Sequence, residues 1–218
     1  MTRDAFHDRL NNLFKKLLKM GALVEETIQQ SVDALAALDD KLAKQIIAGD
    51  DQIDIMEVEL EQECLTLLAT QQPLAKDLRM IGATLKVITD LERIADHAVD
   101  ISEVTLALRG QKLIKPLIDI PRMATMSIEM LHDSLTALIE QDVELAKQVG
   151  KKDDLIDDLN TQIFHELLIL MMSDPKIIGQ ATQLQLVSLY LERIGDHAVN
   201  IAEWVYYIKT GQKPPRKW

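Results

Sequence analysis

The chain has 218 residues, of which 47% are hydrophobic and 27% charged, with eight glycines, six prolines and only 4% aromatics. That much apolar surface fills a core and excludes a disordered chain, while the scarcity of turn residues and aromatics argues against sandwiches and barrels. With 35 acidic against 24 basic residues the formal charge is -11, which sets general nucleic-acid binding aside.

Along the chain, the opening Met1–Arg9 shows no apolar stretch after a basic start, and no run of about 18 apolar residues follows. Neither a signal peptide nor a membrane span is expected, so the location is expected to be cytoplasmic, with any membrane association made through partners. Apolar residues then recur every three or four positions, the period of a helix. Leu10, Leu13, Phe14 and Leu17, continued by Val24, Ile28, Val32 and Leu35, predict a first helix over 4–38. Leu42, Ile46, Ile53, Met56, Leu60 and Leu67 predict a second over 40–70, which Gly49 kinks or divides. Gln71-Gln72-Pro73 ends it, and a third runs over 74–109. Beyond Gly110 and Pro121 come a fourth and a fifth, 117–140 and 142–172. Ser173-Asp174-Pro175 reads as a helix stop followed by a capped start with proline in the first turn, opening a sixth helix over 175–210. The tail Gly211–Trp218 reads as an exposed basic end. The single cysteine, Cys64, allows no internal disulfide and reads as a small core residue.

The chain also repeats itself. Residues 20–54 align without gaps on 123–157 with 14 identities in 35, and Leu91–Glu103 align on Leu191–Glu203 with 10 in 13. Each half therefore carries three helices. The predicted fold is all-α, two tandem, sequence-related three-helix bundles, divided as 1–112 and 113–218.

The best-matched segment is Leu91-Glu-Arg-Ile-Ala-Asp-His against Leu191-Glu-Arg-Ile-Gly-Asp-His. Residues four apart share a helix face, so Glu92, Asp96 and Asp100 form a ladder of carboxylates, as do Glu192, Asp196 and Asn200. Like charges at that spacing repel unless a cation compensates, and an oxygen ligand set points to Mg, Ca, Mn, Fe or Zn. Ala95 and Gly195 leave room for close approach. Further ligands must come from other helices: Asp54 and Glu57 on the second, Asp157 on the fifth, Glu26 and Gln30 on the first, Glu129 and Asp133 on the fourth. Asp50-Asp51 and Asp153-Asp154 read better as helix N-terminal charges than as ligands. His97 and His197, one residue past the ladder aspartates, point away from them. Glu129 and His132 have the ExxH spacing of carboxylate-bridged di-iron bundles, but those need the motif twice and Gln29 stands at the repeat position. No glycine-rich phosphate loop, nucleophile elbow or kinase signature is present, and nothing in the chain argues for a nucleophilic enzyme.

At the paired Leu-Glu-Arg-Ile-(Ala/Gly)-Asp-His segments, with Gln72-Pro-Leu-Ala-Lys-Asp-Leu-Arg79, Leu42-Ala-Lys-Gln45 and Gly49-Asp50, the chain resembles the PhoU family over nearly its whole length. The resemblance implies a cytoplasmic, non-enzymatic negative regulator of phosphate uptake and of the phosphate-starvation response. Its implied partners are the cytoplasmic side of the phosphate ABC transporter, the sensor histidine kinase and, as a homodimer, a second copy of itself. It also implies metal, Fe or Zn and otherwise Mn, Ni, Mg or Ca, in some members as a multinuclear cluster, at Glu92/Asp96 with Asp100 and at Glu192/Asp196 with Asn200. Asn200 departs from the acidic pattern, and the second site is expected to bind cations more weakly for it. The alternatives are a carboxylate-bridged di-metal oxidase and a metal-free helical adaptor.

Overall fold

The computed structural model describes residues 3–71 and 73–215. Gln72 of the motif before the first ladder, and the last three residues of the basic tail, lie outside the described residues, as do Met1 and Thr2. The order is α1 (Arg3–Ala37), α2 (Asp40–Gly49), α3 (Asp51–Gln71), α4 (Ala75–Ala107), α5 (Asp119–Glu140), α6 (Val143–Ser173), a 3-10 turn (Pro175–Ile177) and α7 (Ile178–Thr210). The described chain is all-helical, as expected, and Gly49 does divide the second rod. Asp50 keeps helical dihedrals, φ -60° and ψ -38°. The break is thus a local interruption between α2 and α3, while its counterpart α6 runs unbroken through Lys152 and Asp153.

The turns confirm the repeat in backbone detail. Leu38 and Gln141, equivalent in the two halves, both adopt left-handed dihedrals, with φ 51° and 54°. Asp39 and Asp142 follow them as N-caps, their carboxylates accepting from Lys41 N and Leu42 N and from Glu144 N and Leu145 N at 2.9–3.1 Å. Each cap satisfies amides that a helix start leaves without partners. Asp174 caps the turn at Pro175 in the same manner, through Lys176 N.

One core runs through both halves. Leu13, Leu17, Val24 and Ile28 of α1 join Val87, Leu91, Ile94 and Ile101 of α4, Met123 and Leu131 of α5, and Leu191, Ile194 and Ile201 of α7, all at most 1% exposed. α4 and α7 lie together at its centre, each also packed on the other helices of its own half. Ser127 of α5 donates from Oγ to the Leu191 carbonyl at 3.1 Å. Gly21 sits so near α5 that a Cβ there would lie 2.3 Å from Leu135 Cδ1. The linker after Gly110 is held by Gln180, 7% exposed, whose side chain accepts from Ile114 N and donates to Gln111 and the Lys112 carbonyl. Cys64 is fully buried, as a small core residue should be, and burial pushes its thiol up to about 12.

Candidate functional site

α3 packs on α4, and α6 on α7. Asp50, Asp54 and Glu57 occur at spacings of four and three, so they share the face of α3 and its junction that meets Glu92 and Asp96 of α4. In the second half Asp153 and Asp157 meet Glu192 and Asp196 in the same way. The electrostatics record the convergence. Asp50 is pushed up to about 6 by burial and then by Asp54, Asp96 and Asp51. Asp153 is pushed up to about 7 by burial and then by Asp157, Asp196, Glu192 and Asp154. Glu57, Glu92, Asp157 and Glu192 are all raised too, burial first and neighbouring carboxylates next.

Four oxygens in these clusters are buried without a hydrogen-bond partner: Asp50 Oδ1 and Glu92 Oε2 in one, Asp153 Oδ1 and Glu192 Oε2 in the other. They are equivalent across the repeat. Two chance defects at matched positions in both halves would be an odd coincidence, since buried polar atoms ordinarily find partners. Gly195 admits Asp153 closely, for a Cβ there would stand 3.2 Å from Asp153 Oδ1.

The motif arginines supply part of the missing charge. Arg93 reaches Asp96 at 2.9 Å and Arg193 reaches Asp196 at 3.2 Å. Their Nε atoms lie 3.3 Å and 3.5 Å from Glu92 Oε2 and Glu192 Oε2, within ion-pair range but without hydrogen-bond geometry. Both guanidiniums are more than half exposed, so water screens these pairs and each contributes little. Among the described residues, no three or more His, Cys, Asp or Glu side chains already surround a point that a metal ion could occupy.

Several expected ligands stand elsewhere. Asp100 turns toward the seam between α4 and α7, where His97 Nδ1 meets its Oδ2 at 3.2 Å. Asn200 lies on the same seam and donates to Asp90 Oδ1 at 3.4 Å, beside His197 Nδ1 at 2.9 Å from the same oxygen. The Asp-to-Asn difference therefore falls outside the acidic clusters. The two clusters differ instead at Glu57, whose repeat counterpart Asn160 bonds to Ser188 and Gln185. Asp133, with Glu129, accepts from Lys152 Nζ, at 2.9 Å and 3.4 Å. His132 pairs with Glu25, so the ExxH side chains do not converge. At the position of Lys152 the first half has Gly49, and a cleft of about 140 Å³ opens there beside Glu26, Gln30 and Asp50.

The histidines do face away from the clusters, but into the protein. Their rings are 5.9 Å apart across the seam, and His97 stacks on Tyr190 at 5.7 Å. Burial lowers the His97 pKa, against a raising influence from Asp100. Asp50 and Asp153 are the ligand candidates that sequence reasoning set aside. Asp153 lies ten residues inside α6, far from any helix start, so the N-terminal-charge reading fails there. The signal for them was present: each stands four residues before Asp54 or Asp157, on the same face.

Comparison with known proteins gives a consistent result. The PhoU domain model matches the chain twice, over residues 17–105 and 120–205. A protein of Clostridium acetobutylicum named "Phosphate-specific transport system accessory protein PhoU homolog" is 42% identical over 214 residues, 98% of either chain. One of Aquifex aeolicus with the same name is 40% identical, over 91% of this chain and 90% of its own. Among solved structures, PhoU from Pseudomonas aeruginosa superposes with a TM-score of 0.90 at 35% identity, covering 95% of this chain and all of that one. The phosphate transport system regulatory protein PhoU from Streptococcus pneumoniae gives 0.89 at 31%, over 96% and 99%.

Proposed function

The chain belongs to the PhoU family, and from that premise we propose that it is an accessory regulator of a phosphate-specific transport system. It restrains phosphate uptake and the phosphate-starvation response by binding, with no catalysis of its own. Its partners are the cytoplasmic side of a phosphate ABC transporter and the associated sensor histidine kinase, and it acts in the cytoplasm as a homodimer. The names of its relatives support the transport role. No helix among the described residues is long and apolar enough to cross a membrane, which fits association through partners.

Metal enters the same reading. Asp50, Asp54, Glu57, Glu92 and Asp96 would hold it in the first half, and Asp153, Asp157, Glu192 and Asp196 in the second. The observation that carries this is the matched set of four buried carboxylate oxygens without a hydrogen bond, of which only the two glutamate oxygens have an arginine within ion-pair range. Donors of this kind fit a hard cation, and the all-oxygen set suits Fe, Mn, Mg or Ca better than Zn or Ni. A bound cation cancels the repulsion among the acids and reverses the sign of the patch offered to a partner. Asp100, Asn200 and Asp133 are not in the set, because seam and lysine contacts hold them elsewhere.

Calorimetric titration of the metal-stripped protein with Mn or Fe tests the metal half of the proposal. The pair Asp50→Asn/Glu92→Gln is expected to lose one binding event and Asp153→Asn/Glu192→Gln another; unchanged stoichiometry in both removes metal from the reading. Pull-down from cytoplasmic membranes with and without chelator tests the partners. Failure to retain transporter or kinase under either condition overturns the docking role, whatever the titration shows.

A further inference from the structure

Apart from the acidic clusters, a cleft of about 360 Å³ opens between the middle of α4, the last turns of α7 and the tail beyond it. That volume falls in the range of small organic ligands. Its wall is aromatic: the Trp204 and Tyr207 rings meet edge-on, 5.5 Å apart at 89°. Trp204 is partly buried against the common core, which fixes how its indole is presented. Lys86 of α4 and Lys213 of the tail line the cleft from separate segments, and neither has a hydrogen-bond or ion-pair partner among the described residues. Asp90, also in the wall, is already engaged by His197 and Asn200. Glu203 alone remains as an unengaged acid.

In a chain of charge -11, two unpaired ammonium groups beside an indole call for an anion that also carries a flat ring. Inorganic phosphate uses the lysines but leaves the aromatic wall and most of the space empty. A neutral aromatic leaves the lysines unpaired, and a cation that would suit Trp204 and Glu203 is repelled by both lysines. A nucleotide uses both lysines, the aromatic wall and Glu203 together, leaving Asp90 to His197 and Asn200. We propose that this cleft binds a purine mononucleotide, its base stacked on Trp204, its phosphates between Lys86 and Lys213, and Glu203 accepting from base or ribose donors.

The chain has two tryptophans, so Trp218→Phe leaves Trp204 as the only indole fluorophore. In that background, and with EDTA present so that metal–phosphate bridging at the acidic clusters is absent, ADP is expected to quench Trp204 saturably. Adenosine, and ADP with the Lys86→Ala/Lys213→Ala protein, should bind at least about tenfold more weakly, a conservative figure for losing charge-assisted hydrogen bonds. Both lysines are exposed, so the double variant should keep its helical circular dichroism. Absence of saturable quenching, equal binding by the lysine variant, or competition by pyrophosphate as strong as that by ADP itself overturns the proposal. Equilibrium dialysis with ADP provides a readout independent of fluorescence.

Discussion

Asp153 and Asp50, pushed up to about 7 and about 6, link protonation to folding in a direction opposite to that of most surface carboxylates. At pH 5 the folded chain retains protons that ordinary carboxylates of the unfolded chain, near 4, have released. The folded state is favoured by that difference below about 4, and the advantage disappears as pH rises through 7. The metal-free protein should therefore lose Tm between pH 5 and pH 8. Asp153→Asn should flatten that slope and raise Tm at pH 8 by roughly 2–5 °C, taking about 2–4 °C per kcal/mol for a chain of this size. Thermal unfolding followed by circular dichroism at several pH values checks both. At Cys64, full burial and a thiol pushed up to about 12 predict no labelling by iodoacetamide in the native protein at pH 8, and rapid labelling once it is unfolded. The ladder residues Glu92, Asp96, Glu192 and Asp196 were legible from spacing and repetition alone. Asp50 and Asp153 were not, because a dipole argument needs to know where a helix begins, and Asp153 lies in the middle of one. Asp100 and Asn200 were misplaced for a related reason: each rung on a helix is rotated about 40° from the last. By the third rung the side chain meets a different neighbour.

At the level of single helices, the two αα-turns show how far local rules reach. Gln141 adopts φ 54° with a β-carbon, a conformation glycine enters without that steric cost. Gln141→Gly should stabilise the protein slightly or leave it unchanged, whereas Asp142→Ala removes the cap that accepts from two amides. The latter should cost about 1 kcal/mol, seen as a Tm lower by about 2–4 °C. The long rods were readable because apolar spacing persisted over many turns, and Asp174-Pro175 marked a true start. The 3-10 turn at Pro175–Ile177 and the interruption at Gly49 depend on less. Gly49 stands where the rod is broken and Lys152, at the equivalent position, where it is continuous. A helix former in place of Gly49 is worth only about 1 kcal/mol, too little to settle from sequence beside the packing around it.

Across the whole molecule, the two repeats share their interior. α4 and α7 each bury a full face in the common core, and Leu91 and Leu191, fully buried repeat equivalents, belong to that core together. Unfolding should consequently be a single cooperative transition by calorimetry, and Leu91→Ala should lower the stability of both halves together by about 2–5 kcal/mol. Two resolved transitions would mean that the halves are thermodynamically separate.

The seam between α4 and α7 carries a last implication. His97 meets Tyr190 and Asp100, while His197 meets Asp90 with Asn200 alongside. Asp90 and Tyr190 are the same position in the two copies, so the two sides of the junction are not equivalent. A pair of identical subunits must place like opposite like and could not keep this arrangement. Carrying both copies in one polypeptide removes that constraint, so each side of the junction can hold a different set of contacts.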